Sequence, residues 1–482
     1  MREEIVNVEL GKICIYSKGK KPKVLTKEYS EKTPFPYVNI KAFEHGIFDE
    51  YTDGDKCNIC EEGDLLMVWD GARAGFTGKA KKGAIGSTLM KIEAKEGIHK
   101  NYLFYFLLSL YKKLNTNPRG VGIPHVEPRL LWTSELVIHS KPEQRAIVQK
   151  IENIFASLDK GIDDLKTAQE QLKVYRQAVL EQGLTGVFTK KLRKENPSLE
   201  VAESLYQKIQ NEIEEAYKRA CLEALKNGKN KPKDQRKNKK ALNVSSYLPE
   251  IPQTWKYYRL EDLTYLVTDG THFTPKYQKE GVKFLSVKNV RPFLIKDEDI
   301  KYISQEEHKQ FIERCKPENG DILYTKVGAT YGYASKVQLD YEFSIFVSLC
   351  LIKPVYKYVK TEFLEYLMNS EIVFRQARQR VSGSGVPDLH LVEIRDFKIP
   401  LPSVDEQKVI IREIESRLSV CDKVEQSISE ALEKSEALRQ SILKKAFEGK
   451  LLNEAEITKC KQEADYETAS ELLKKIKAEK KQ

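Results

Sequence analysis

The sequence predicts an α+β chain in which one unit, a mostly-β globular part followed by helices, is written twice. Three observations carry this prediction. Blocks of the first half return about 260 residues later, and repeats at a fixed offset signal duplicated architecture. Each series of blocks contains short apolar runs bounded by Gly, Pro, Asp and Asn, the pattern of strands and turns. Each series then runs into a stretch whose apolar residues are spaced for a long helix.

In chain order, "EEGDLLMVWDGARAG" (61–75) faces "PENGDILYTKVGATYG" (317–332), with Gly63, Gly71 and Gly75 each 257 residues before Gly320, Gly328 and Gly332. "NYLFYFL" (101–107) faces "EFLEYLM" (362–368). "RGVGIPHV" (119–126) returns as "SGSGVPDL" (382–389). "PEQRAIVQKIENI" (142–154) returns as "DEQKVIIREIESR" (405–417), which sets Gln144 and Gln407 263 residues apart. Even the tail repeats, as "AESLYQKIQNE" (202–212) and "ASELLKKIKAE" (469–479).

Within the globular parts, "GDILYTKV" and "FSIFVSLCLIKP" read as strands. "TEFLEYLMNSEIVFRQARQRV" reads as one helix that ends before the Gly-Ser-Gly loop. The apolar run "YLFYFLLSLY" falls short of the about 20 residues that span a bilayer, so it reads as a core helix. The long helices carry a heptad seam. In the first copy Ile147, Ile154, Ala168 and Tyr175 form one row, and Ile151, Leu158, Leu165, Leu172 and Val179 the other. In the second copy the rows are Ile410, Val424, Ala431 and Leu438, and Ile414, Cys421, Ile428 and Ile442, interrupted by Arg417 and Ser435. A coiled coil fits this better than one face of a helical bundle. Between the copies, "KNGKNKPKDQRKNKKALN" (226–243) reads as a solvated linker in preference to a phosphate-binding arm. The boundaries are then a globular part at 1–140, a long helix at 141–186, a helical segment and basic linker at 187–247, a second globular part at 248–402, a second long helix at 403–450 and a tail helix at 451–482.

The formal net charge of +10 favours a polyanionic partner. The eight cysteines are scattered, and "CNIC" (57–60) has no second ligand pair to complete a four-ligand zinc site, so they read as thiols in a reducing compartment. The N-terminus lacks the apolar stretch of a secretory signal, so a cytoplasmic chain with no membrane partner is expected. No phosphate-binding Walker loop occurs. No dinucleotide fingerprint or amino-methyltransferase motif is found either. "PDLHLVEIR" (387–395) lacks the Lys and the spacing of a nuclease carboxylate motif. No catalytic, cofactor-binding or metal-binding residue is therefore assigned.

The polar residues of the repeated loops suit a ligand instead. Paired glycines let backbone approach a partner closely. Arg73, Lys79, Arg119, Gly120, Gly122 and His125 form the candidate DNA-binding set of the first copy. Thr268, Asp269, Thr271, His272, Lys288, Asn289, Lys326, Thr330, Tyr331, Ser382 and Ser384 form that of the second. They offer donors and acceptors for base edges and phosphates.

These blocks closely resemble the specificity (S) subunit of type I restriction–modification systems. The carriers are "TDGTHFTPKYQKEGVKFLSVKNV", "NGDILYTKVGATYG", "GSGVPDLHLVEIRDFKIPLPSVDEQKVI" and "LRQSILKKAFEGKL". The first copy matches more loosely and has no counterpart of "DGTH". The resemblance implies that each globular part is a target recognition domain reading one half of a bipartite site in double-stranded DNA. It implies two long helices packed antiparallel in a pseudo-two-fold arrangement that holds the domains at a fixed distance. It also implies a non-catalytic subunit on which two methyltransferase (M) subunits dock, bringing S-adenosylmethionine to modify adenines. Two restriction (R) subunits can join them. Two other readings come from other classes: a nuclease or methylase in its own right, for which no intact catalytic motif is present, and a structural coiled-coil protein with paired globular heads, which salt-dependent, sequence-specific DNA binding would rule out.

Overall fold

The computed structural model describes residues 6–120, 122–228, 230–231, 248–381 and 386–478. Most of the lysine-rich linker lies outside them, as do Ser382 and Ser384. The chain forms two compact units, Met1–Thr167 with Ile428–Gln482, and Ala168–Ser427.

In the first unit, the globular head centres on an antiparallel sheet in the order Cys14–Lys18, Leu89–Ala94, Leu65–Val68, Thr77–Lys79. The middle strand "LLMV" is buried throughout, so its two faces feed two cores. Leu65 and Met67 join Met90, Ile92 and the helix Lys100–Thr116 in the larger core. Leu66 and Val68 join Val38, Ile85 and Leu89 in the smaller one. The strand Val6–Glu9 pairs antiparallel with Glu135–Ile138, which returns the chain to its start just before the long helix Lys141–Leu184.

The second unit repeats this plan. Its sheet runs Thr264–Asp269, Leu349–Pro354, Ile322–Thr325, Ala334–Lys336. Lys256–Arg259 pairs with Lys398–Leu401 just before the second long helix, Val404–Phe447. The expected single helix over 361–380 is two, Thr361–Met368 and Glu371–Arg380. The break falls at Asn369, whose amide both donates to and accepts from the backbone of Ala334 at 2.9 Å on the edge strand. Leu108 stands at the matching place of the first head, and there the helix continues.

Both long helices have 44 residues, about 66 Å at 1.5 Å per residue. Within the first unit, His139 lies beside Gly449 and Asp159 pairs with Arg439, so the two helices run in opposite directions there. The second unit shows the same sense: Arg176 bonds Asp422 and Glu425, while Gly183 packs on Ile414. Most seam residues are covered, but Tyr175, Val424 and Leu438 are 45%, 42% and 48% exposed, contrary to the heptad reading. Two helices alone cover only one side of a seam position, and charged side chains such as Arg176 cross there instead of a third layer.

Each head is also capped by a tail helix. Leu205, Ile209 and Ile213 of Ala202–Lys226 join the core of the second head. Leu472, Leu473 and Ile476 of Ala469–Ala478 join the core of the first. The helix written after the first repeat thus covers the second head, and the one written after the second repeat covers the first.

The repeated Gln explains itself through hydrogen bonding. Gln144 accepts from His99 N–H (2.8 Å) and donates to the carbonyls of Gly97 and His139. Gln407 accepts from Lys360 N–H (2.8 Å) and donates to those of Tyr358 and Pro402. Both are fully buried, and each ties a long helix to its head.

No helix among the described residues is long and apolar enough to cross a membrane. All eight cysteines are free thiols. Cys60 is buried with its Sγ donating to the carbonyls of Lys81 and Gly83, and burial pushes its pKa up to about 11.

Candidate nucleic-acid interface

The proline segment that follows Gly-x-Gly is hung in both heads by the same backbone bonds. In the first, Gly71 N–H donates to Pro124 C=O (2.8 Å) and Val126 N–H to Trp69 C=O (2.9 Å). In the second, Gly328 N–H donates to Pro387 C=O (2.9 Å) and Leu389 N–H to Lys326 C=O (2.9 Å). Gly71 and Gly328 have φ of +117° and +87°, a left-handed turn that favours glycine and aims the N–H at the loop. In the first head Arg119 and His125 also exchange backbone bonds of 2.9 and 3.0 Å, which closes the loop's base.

Side chains around this frame differ. Lys18 and Asp269 occupy the same strand end, opposite Met90 and Cys350 respectively. Lys18 pairs with Asp70 (3.0 Å), and Asp70 holds His125 Nδ1 (2.6 Å). In the second head Asp269 faces Lys326 (3.9 Å), and Lys326 faces Asp388 (3.5 Å). The order cation–anion–cation becomes anion–cation–anion, with His125 counted as a cation when protonated. Asp269 and Lys326 are both buried, and Arg314 and His272 (3.3 Å) complete the shell of Asp269. Burying a lone charge costs several kcal/mol, so the second network requires its partners. One oxygen of Asp388, Oδ1, is buried without a hydrogen bond.

The structure sorts the expected site residues. Arg119, Gly120, Gly122 and His125 share one loop with the Lys18–Asp70 corner beneath it. Arg73 lies in the neighbouring turn but is held by Glu44 (2.9 Å) and over the Phe76 ring (4.1 Å). Lys79 is not in this group: it ends an edge strand and lies over Phe104 of the head's helix (5.3 Å). In the second head Asp269, His272 and Lys326 are brought together. Thr268 is buried within its strand, and Thr271 is buried with its Oγ1 accepting from Phe273 N–H. Asn289 is framework as well, 2% exposed, accepting from Ser286 N–H and donating to Glu298 C=O. Lys288 beside it is exposed. Thr330 takes the Thr325 hydroxyl on its carbonyl, and Tyr331 stacks on Phe374 at 5.6 Å.

Sequence reasoning missed Lys18, Asp70, Arg314 and Asp388. Asp70 adjoins the repeated Gly71, a usable signal. Lys18 and Arg314 carry none, because only strand pairing and tertiary packing bring them to the loop.

These features define a class of protein: two copies of one α+β head, each with a glycine-hinged loop over a charged corner and each continued into long paired helices. The model of the type I restriction modification DNA specificity domain matches residues 2–168 and 252–434, well over half of the chain, and the chain belongs to this family. The specificity subunit of the type I restriction enzyme EcoBI of Escherichia coli is 25% identical over 426 residues, 86% of this chain and 80% of its own. That of MjaVIII from Methanocaldococcus jannaschii is 23% identical over 442 residues, 89% and 90% of the two chains. A chain from a structural study of complex assembly and conformational transition of the type I R-M system superposes with a TM-score of 0.62 at 16% identity, covering 94% of this chain and 99% of that one. That likeness shows a shared fold: two α+β heads with long paired helices.

Proposed function

We propose that each head reads one half of a bipartite, non-palindromic site in double-stranded DNA. The observation that carries this is the common loop frame filled with unlike side chains: one way of presenting a loop, and two different surfaces to present. In the first head, Arg119 and His125 face the DNA. In the second, His272, Lys288 and Asp388 do so, with the buried Lys326 behind Asp388. Two methyltransferase subunits dock on the chain, bring S-adenosylmethionine and methylate adenines, and two restriction subunits can join them. The chain contributes recognition and neither a catalytic group nor a cofactor site. We place this activity in the cytoplasm.

The test is modular exchange. Residues 1–140 are replaced by the corresponding head of another specificity subunit, and the methylated motif is read by sequencing. One half of the motif should change while the other stays; a change in both halves counts against independent readers. In the intact chain, Arg119→Ala should weaken DNA binding by about 1–3 kcal/mol if the guanidinium reads a base. The chain with S-adenosylmethionine and DNA but no second polypeptide should transfer no methyl group.

A further inference from the structure

Ile123 and Val386 stand 263 residues apart at the same place of the repeat, and they are 64% and 70% exposed. Each directly precedes the proline whose carbonyl is tied to Gly71 or Gly328, so each is held beside the same anchor. Around them the heads have exchanged their chemistry. Trp69 corresponds to Lys326, Asp70 to Val327, Lys18 to Asp269 and His125 to Asp388. The aliphatic residue before the proline, Ile123 or Val386, keeps its character.

We infer that Ile123 and Val386 are equivalent apolar wedges, each pressed against the base stack of its own half-site, and that they grip the duplex without selecting its sequence. This rests on the proposed DNA-reading role of the loops. Residues that differ between the heads serve what differs between the half-sites. A residue kept the same serves what the half-sites share, and that is stacked base pairs. Aliphatic side chains inserted at a base step are a known way of unstacking DNA, and the bend or opening they cause is offset by added contact. A protein-binding surface would instead present a contiguous apolar patch. The neighbours here are Arg119, Gly120, Gly122 and His125 in one loop and Asp388 in the other.

The test uses the full chain assembled with its methyltransferase subunits. The probe is a duplex bearing the motif that the complex methylates, with 2-aminopurine replacing one adenine in each half-site in turn. Ile123→Ala should lower affinity about 5- to 20-fold and reduce the 2-aminopurine fluorescence rise in the first half-site only. Val386→Ala should do the same in the second half-site only. The methylated motif should be unaltered in both. Restoring a branched chain with Ile123→Val, the second head's own residue, should recover most of the loss. Affinity within twofold of the parent for both alanine variants, while Arg119→Ala still weakens binding, would overturn the wedge and leave the DNA-reading loop standing. If Arg119→Ala is silent too, the loop itself is wrongly assigned and the wedge falls with it. A loss of subunit assembly in native mass spectrometry, with unchanged fluorescence in the complex that does form, would assign Ile123 and Val386 to a protein contact and reject the inference.

Discussion

In the first head a strand-end lysine, Lys18, pairs with Asp70, which holds His125. In the second, the same strand end carries Asp269, which faces Lys326, and Lys326 faces Asp388. Lys326 lies one residue before the Val327 that matches Asp70, so the inverted network has also shifted by a position along the chain. The backbone bonds that hang the loop are meanwhile unchanged. The lesson is that frame and surface are separable. Main-chain hydrogen bonds fix where the loop stands, and side chains can then reverse sign without moving it. A duplicated head can therefore diverge in what it touches while keeping how it touches.

The same separation holds where each head meets its long helix, and there it can be broken. Glu143 and Glu406 are equivalent, and each accepts from the N–H and hydroxyl of a serine at the helix start. Glu406 is 1% exposed, bonded to Arg193 (2.8 Å) and to the Trp255 indole N–H (3.0 Å). Glu143 instead adjoins the half-buried His139 (3.9 Å). Arg193→Ala leaves a buried carboxylate without its cation and should destabilise the second unit by about 3–5 kcal/mol. Hydrogen exchange read by mass spectrometry should show lost protection in residues 248–402. Equal loss in both heads would contradict separate frames.

A smaller effect sharpens the comparison of turns. Gly75 and Gly332 share left-handed φ values of +92° and +96°. A Cβ at either place would come within 2.8 Å of a neighbour, Leu114 Cβ in the first head and the Phe374 ring edge in the second. Alanine at either site should cost about 1–3 kcal/mol. The first head should lose more, because Leu114 Cβ cannot move without its helix whereas a ring edge can swing. Urea unfolding of the two variants checks the order.

Acidification should separate the units as well. Burial holds His139 and His99 of the first unit below the ordinary histidine value of 6.5. As pH falls below 6.5, the unfolded chain takes up protons that the folded unit does not, so stability declines from its value at neutral pH. Exchange protection in the first unit should drop between pH 7.5 and 5.5, and His139→Gln should shrink that drop. A drop unchanged in His139→Gln would place the effect elsewhere.

The smallest expected effect concerns surface cations. Lys288 is exposed, and Lys288→Ala should lower the slope of log K against log salt by about 1 if the side chain meets a phosphate. Arg73 is already paired with Glu44, and Arg73→Ala should change binding by under about 1 kcal/mol. Anisotropy titrations at two salt concentrations distinguish the two.

The sequence by itself determined the doubling, the α+β character of the heads, the two long helices and the loop that recurs. Each is written locally, in glycine spacing, in apolar periodicity or in direct repetition. It also marked Gln144 and Gln407 as matched, though not as the clamps between helix and head that their buried amides make them. Tertiary structure alone decided the rest. Asn369 breaks a helix because an edge strand lies within reach of its amide. Asn289 and Thr268 look like surface donors in the string and are buried framework in the fold. Tail helices cover the head of the opposite repeat, a pairing that no local pattern encodes. The charged corners were hidden for the same reason: Lys18 and Asp70 lie 52 residues apart, as do Asp269 and Arg314 at 45, and only strand pairing and packing bring them together. Local patterns fix elements because their energetics are local, whereas ion pairs and burial depend on which elements end as neighbours.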